Sequence, residues 1–164
     1  MHSCHFEIYI LKIQIKKYSD RNTITYKRKG FEDAWIDADN FLVMHDLSHY
    51  VIEKTMNYEN GFWGIIKSGV HPEEFLIKER REKIITSDEA WYAEHMANLV
   101  LIELSQGIFD DFNSVLEQTL KTTHPNLPIV QISTAKINSI RKFYKELIDE
   151  WTILENGEMM LLEF

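Results

Sequence analysis

The apolar residues of this chain change their spacing near residue 33. In the first part they alternate with polar residues, as at Ile13 and Ile15, and strand-favouring side chains are abundant. After Asp33 they recur every three or four residues, which is typical of amphipathic helices. A chain that begins with strands and continues with helices predicts an α+β fold.

Three segments have the composition of β-strands, namely residues 5–17, 23–29 and 158–164. A short polar turn at 19–22 separates the first two, which predicts a hairpin. A pair of strands alone is only marginally stable. We therefore expect the C-terminal segment to join the hairpin in a small antiparallel sheet.

Five segments have the spacing of amphipathic helices, namely residues 34–56, 71–83, 88–105, 110–121 and 134–153. We expect Asp33 to cap the first, and Thr86 with Glu89 to form a capping box at the third. The segment 61–69 (GFWGIIKSG) is an apolar loop or a short helix. The sequence thus predicts one domain over residues 1–164, with a small antiparallel sheet packed against about five helices.

The balance of charge narrows the classes of partner. The formal net charge is −8, whereas binding to nucleic acid or to an anionic membrane requires a clustered basic face. The basic cluster at 78–83 is interleaved with Glu79 and Glu82, which is typical of a solvated helix face. Cys4 is the only cysteine, which predicts a reducing compartment. Because membrane-spanning and signal-peptide patterns are also missing, we expect a cytoplasmic protein.

His45, His49 and Glu53 follow one another at intervals of four residues in a segment otherwise rich in apolar side chains. On a helix this spacing places all three on one side. The opposite side, with Val43 and Leu47, is apolar as well. A helix with two apolar sides is usually buried, so we expect the histidines in the interior. Such a stripe either binds a ligand or forms a core network closed by hydrogen bonds.

A metal ion is the ligand that this stripe favours. Two imidazoles one helical turn apart can bind the same divalent cation, which needs a third ligand such as a carboxylate. Glu94 borders the apolar face of the third predicted helix, whereas His95 points away from it. We therefore predict a divalent metal site, with zinc as the candidate ion, formed by His45, His49 and Glu94. Glu53 is a further ligand or orients one of the others. Alternatively, Glu94 is a boundary residue that reaches solvent or pairs with a neighbouring lysine.

Residues 45–49, HDLSH, resemble the H-E-x-x-H motif of the zincin metallopeptidases, with Asp46 in the place of the motif glutamate. In that family the two histidines bind zinc and the glutamate activates the bound water. The resemblance implies zinc ligands at His45 and His49 and a catalytic base at Asp46. The aspartate is one methylene shorter than the glutamate that it replaces.

Two other resemblances involve the same helix. Residues 43–49 (VMHDLSH) resemble the HD phosphohydrolases, in which a histidine–aspartate pair binds metal. That resemblance implies an all-helical fold and an upstream histidine on a helix, where this chain has only His2 and His5. The segments HDLSHYVIEKT, GFWGII and AEHMAN together resemble a family of small bacterial proteins, which implies a shared domain but no particular activity.

Phe62 and Trp63 follow the predicted histidine helix, and they either line the mouth of a pocket or close the end of the core. The sequence as a whole predicts a small metal-binding protein, with metal-dependent hydrolysis as its candidate activity. The alternative is a non-catalytic α+β module that binds a protein or a small ligand and in which the His/Glu stripe is structural. The sequence leaves open whether the protein is an enzyme, and it is compatible with a homodimer.

Overall fold

A four-stranded antiparallel sheet forms one layer of the structure, a computed structural model that describes residues 9–164. The strands are β1 (Leu11–Lys16), β2 (Asn22–Arg28), β3 (Ala34–Ala38) and β4 (Met159–Glu163), and they lie side by side in the order β3-β2-β1-β4. The N-terminal hairpin pairs as predicted, and the C-terminal strand joins it along β1. The predicted α+β class is therefore confirmed. Residues 5–8 of the first predicted strand, and with them Cys4, His2 and His5, lie outside the described residues.

The strand β3 occupies a segment that was predicted as the start of a helix. Its side chains alternate, with Ala34, Ile36 and Ala38 buried and Trp35 and Asp37 exposed. Pairing with β2 determines this conformation. The helix begins only after Asp39, whose carboxylate accepts a hydrogen bond from the backbone N–H of Leu42. The prediction that Asp33 caps this helix was wrong, because five alternating residues are too few to stand out beside a long helical pattern.

The described residues form six α-helices, namely α1 (Asn40–Met56), α2 (Phe62–Lys67), α3 (Lys78–Ile84), α4 (Asp88–Gln106), α5 (Phe112–Thr123) and α6 (Thr134–Ile153). A 3₁₀ turn, Pro72–Leu76, precedes α3. The segment that was predicted as one helix over 71–83 is therefore divided in two. The bounds of α6 agree with the prediction.

The start of α4 differs from the predicted capping box. Ser87 rather than Thr86 is the N-cap, and its hydroxyl accepts a hydrogen bond from the backbone N–H of Ala90. The carboxylate of Glu89 accepts hydrogen bonds from the backbone N–H and the side-chain amide of Asn60. Glu89 therefore ties the loop after α1 to the start of α4 instead of capping its own helix.

The helix α1 lies at the centre of the fold. It contacts α4, α6 and the strands β2 and β3. Every residue from Asp46 to Glu53 is buried, as expected of a helix that is enclosed on all sides. Ala93 and Ala97 of α4 are fully buried, and side chains of this size allow α1 and α4 to approach closely.

The buried apolar side chains of residues 9–164 form one cluster between the sheet and the helices. Trp63 is the largest fully buried residue in it, and its indole Nε1–H donates to the backbone carbonyl of Asp46. This bond ties α2 to α1. None of the helices described is both long and apolar enough to cross a membrane.

Candidate metal centre

The helices α1 and α4 bring three potential metal ligands together. His45 and His49 lie on successive turns of α1, and Glu94 lies on α4. One ligand atom of each residue lies within 4.8 Å of those of the other two. Over residues 9–164 no other three His, Cys, Asp or Glu side chains form such a group. Three of the four ligands predicted from the sequence are thus close enough to hold a metal ion.

His49 is the centre of this group, and both of its ring nitrogens face carboxylates. Its Nε2 lies 3.0 Å from Oε2 of Glu94, and its Nδ1 lies 3.3 Å from Oε1 of Glu53. Burial lowers the pKa of His49, but the hydrogen bonds to Glu53 and Glu94 outweigh this effect and raise the pKa to about 10. Without a metal ion the protonated form of the His49 imidazole is therefore favoured by the two carboxyl groups that flank it.

Glu53 lies on the far side of the His49 ring from Glu94. Its Oε2 accepts a hydrogen bond of 2.9 Å from the backbone N–H of Trp63, and its other oxygen faces His49. Burial raises the pKa of Glu53, an effect that His49 and the backbone N–H groups of Trp63 and Gly64 oppose. The structure does not bring Glu53 into the three-ligand group. It places the carboxylate where it fixes the orientation of the His49 ring.

Gly61 makes room for the Glu53 carboxylate. A Cβ atom at residue 61 would lie 2.4 Å from Cδ of Glu53, well inside van der Waals contact. The backbone at Gly61 has a negative φ, so close approach rather than backbone conformation requires glycine here. The sequence pattern placed Gly61 at the start of an apolar loop or a short helix and did not predict this contact, because the contact depends on how α2 folds back onto α1.

Glu94 is held from its own helix by Asn98. The amide Nδ2 of Asn98 donates to Oε1 of Glu94 at 3.0 Å and to the Glu94 backbone carbonyl at 2.9 Å. Burial raises the pKa of Glu94, but the hydrogen bond to His49 and the nearby histidine charges lower it to about 2. Asn98 was not predicted as a site residue, although side chains four residues apart on a helix are neighbours.

Asp46 is almost completely buried beside this group, with 2% of its surface exposed. Its Oδ1 lies 3.6 Å from Nδ1 of His45, and its Oδ2 has no hydrogen-bond partner among residues 9–164. Burial raises the pKa of the Asp46 carboxyl, and the neighbouring His45 partly opposes this effect. An unpartnered buried carboxylate oxygen is costly, so a proton on the carboxyl group or a bound water, ion or ligand is expected to satisfy it.

A pocket of about 270 Å³ opens beside these residues. Its polar lining consists of His45, Asp46, His49, Arg81, Glu94 and Asn98, and most of the remaining wall is apolar. Phe62 lines this pocket, whereas Trp63 is fully buried in the core. Each of the two interpretations considered for the Phe62–Trp63 pair therefore applies to one of its residues.

The other described histidines lie outside the three-ligand group. Nε2 of His95 lies 2.9 Å from Nδ1 of His124, which also packs against the ring of Trp91. His71 is the N-cap of the 3₁₀ turn. The ring contacts of His124 make it part of the contact between α4 and the end of α5.

Comparisons with protein-family models, with curated proteins and with solved structures gave no significant match. The resemblances of the HDLSH segment therefore rest on the quoted residues alone. The all-helical fold that the HD phosphohydrolase resemblance implies differs from the observed four-stranded sheet with helices. The geometry of the candidate site is accordingly the basis for a functional proposal.

Proposed function

We propose that this protein binds a divalent metal ion through His45, His49 and Glu94 and uses it to hydrolyse a small substrate. The observation that carries the proposal is the convergence of the three ligand atoms within 4.8 Å beside a pocket. Two imidazoles and one carboxylate are a donor set typical of catalytic zinc, and three protein ligands leave a coordination position open for water. Zinc is therefore the expected ion.

The distances are close to those of a zinc site. Two ligand atoms bound at about 2.1 Å to one tetrahedral zinc ion lie about 3.4 Å apart. The 3.0 Å between Nε2 of His49 and Oε2 of Glu94 is near that value. Bringing the widest pair from 4.8 Å to the zinc spacing requires a contraction of up to about 1.4 Å. The partly exposed His45 ring has the freedom to supply it by rotating its side chain.

Glu53 and Asn98 support the proposal as orienting residues. A histidine that binds metal through one nitrogen usually donates its other N–H to a carboxylate or a carbonyl. Glu53 stands in that position at Nδ1 of His49, which leaves Nε2 for the ion. Asn98 holds one oxygen of Glu94 and leaves the other directed at His49. We therefore assign Glu53 an orienting role rather than that of a fourth ligand.

Asp46 is the residue that we propose as general base. A zinc ion lowers the pKa of its bound water to about 7, and a nearby carboxylate can accept the proton that this water releases. Asp46 lines the same pocket as the three ligands, and among residues 9–164 its Oδ2 has no hydrogen-bond partner.

The metal proposal is tested by measuring the metal content of protein purified without a histidine tag. We expect about one equivalent of zinc in the unmodified chain, and a loss of most of it in His45→Ala and in Glu94→Gln. These two side chains are partly exposed, so their substitution disturbs the core less than that of His49. The control is His71→Ala, an exposed histidine outside the group. Metal-free protein, or metal content that is the same in all four proteins, would contradict the proposal.

The hydrolase proposal requires a separate measurement. With a simple ester as substrate, the Asp46→Asn protein should keep its zinc, and its rate of hydrolysis should be lower by about 100-fold or more. The amide and the carboxylate differ little in size, but only the carboxylate accepts a proton. Equal activity of the two proteins, or equal activity with and without zinc, would remove the enzymatic part of the proposal and leave metal binding.

A second candidate function is a non-catalytic module with a buried charge network. The observation in its favour is that both nitrogens of His49 already face carboxylates without any ion. In that case the metal content is negligible, and His49→Ala acts mainly by lowering the melting temperature, because it leaves Glu53 buried without its charged partner.

A further inference from the structure

The pocket beside the candidate metal centre has two chemically different ends. At its inner end lie Asp46 and His49, which are almost fully buried. Its walls are apolar and come from several elements; they include Ile36, Leu42, Phe62, Ile65, Phe75 and Ile85. Its outer end carries the exposed cation Arg81. A ligand that fills the pocket therefore meets a polar inner end, an apolar middle and a positive charge.

Arg81 is the cation of this outer end, and it differs from its neighbour Arg80. The guanidinium of Arg80 forms an ion pair with Glu74 at 2.7 Å. Arg81 has neither an ion pair nor a side-chain hydrogen bond within residues 9–164. From the sequence, both arginines were assigned to one solvated helix face. Both are exposed in the structure, and Arg81 in addition lines the pocket.

The inner end is polar because His45, His49 and Glu94 line the pocket beside Asp46. A polar group of the ligand can form hydrogen bonds with these side chains, whereas a purely apolar ligand would cover them without forming any. The volume of about 270 Å³ corresponds to about nine water molecules, which is room for a ligand of roughly ten non-hydrogen atoms.

We propose that the pocket binds a small amphipathic carboxylate, with its carboxylate at Arg81, its apolar body against the walls and an uncharged polar group at the inner end. An ester or an amide at that end would lie beside the candidate metal ligands. This inference rests on the proposed function only for the hydrolysis of that ester or amide. Binding of the carboxylate and of the apolar body depends on Arg81 and on the walls.

The test uses monomethyl adipate, which carries an ester, a short methylene body and one carboxylate, and its uncharged counterpart dimethyl adipate. Affinities are measured by calorimetry or by NMR titration, for the protein as purified and after treatment with a chelator. We expect the monoester to bind both forms, and Arg81→Met to weaken its binding by about tenfold through loss of a charge-assisted hydrogen bond. Arg80→Met, the matched control, should bind as the unmodified protein does.

Four results would overturn the inference. The first is absence of monoester binding to the unmodified protein. The second is equal affinity for the charged and the uncharged ester, and the third is equal weakening by Arg80→Met and Arg81→Met. A fourth outcome, binding that needs the metal and ignores Arg81→Met, would also overturn it, because the carboxylate would then bind the ion.

Metal content measured in the same samples separates this inference from the proposed function. Arg81→Met keeps its zinc if both are correct, since Arg81 is outside the ligand group. If the protein as purified contains no metal and still binds the monoester in a manner that depends on Arg81, the metal proposal is refuted and the pocket assignment is supported. If the protein contains zinc but does not bind the monoester through Arg81, the metal proposal is supported and the pocket assignment is refuted.

Discussion

The charge of His49 is set by two neighbouring carboxylates. Burial works against the charged imidazole, yet Glu53 and Glu94 raise its pKa from 6.5 to about 10 in the metal-free protein. A histidine whose pKa is higher in the folded than in the unfolded state stabilises the fold. This contribution is complete below the unfolded-state pKa and is lost as the pH rises through the folded-state pKa.

For the metal-free protein we therefore expect the free energy of unfolding to fall between about pH 6.5 and about pH 10, by up to ~1.4 kcal/mol per pH unit. Urea denaturation at a series of pH values measures this slope. His49→Gln removes the titrating group and should flatten the profile, whereas His71→Gln should preserve it. A flat profile in the unmodified chain would show that His49 is not charged between its two carboxylates.

A substitution at Gly61 tests whether the Glu53 carboxylate lies where the structure places it. The added methyl group of Gly61→Ala would collide with the Glu53 carboxylate, so we expect a loss of about 1–3 kcal/mol in stability. Because the collision needs the carboxylate, the same change should cost clearly less in a chain that already carries Glu53→Ala. Chemical denaturation of the four proteins gives this coupling. Additive losses would mean that Gly61 acts independently of Glu53.

At the scale of elements, the long helices were predictable and the short strand β3 was not. The apolar spacing of α6 extends over 20 residues, so the pattern is repeated often enough to fix both ends. The five residues of β3 repeat the alternation of apolar and polar side chains too few times to identify a strand. Their conformation is determined by pairing with β2. Local sequence carries little information about such pairing.

The start of α1 is the element boundary on which the sequence and the structure differ most. Asp39→Ala should lower the free energy of unfolding by about 1 kcal/mol, because the backbone N–H of Leu42 loses its acceptor. Asp33→Ala, at the cap predicted from the sequence, should change it by less than about 0.5 kcal/mol, as is usual for exposed positions. Equal effects of the two changes would argue against the observed start of α1.

The part of the candidate site that depends only on the positions of residues along a helix was predictable from the sequence. The spacing of His45 and His49 places them together on α1, and the apolar face of α4 directs Glu94 towards the interior. The sequence left open whether Glu53 is a ligand or an orienting residue, and it did not place Arg81 in the pocket. Both depend on how the segment 57–87 folds over α1, and this segment has no long repeating pattern.

At the scale of the whole molecule, the candidate metal centre joins two helices that belong to the interior. His45 and His49 come from α1, and Glu94 comes from α4, with which α1 is in extensive contact. In the unfolded chain Glu94 is separated from the histidines by more than 40 residues, so the three ligands do not form a site there. An ion that binds them therefore stabilises the folded protein as a unit.

We expect zinc to raise the melting temperature of chelator-treated protein for this reason. At a free zinc concentration of about 100 times the Kd, zinc binding adds about 2.7 kcal/mol to the free energy of unfolding. For a chain of this size, that corresponds to a rise of about 5–10 °C in the melting temperature. Scanning calorimetry with and without zinc measures the shift. Glu94→Gln should lose most of it, and His71→Ala should keep it. A melting temperature that does not respond to zinc would leave His49, Glu53 and Glu94 as a structural charge network between α1 and α4.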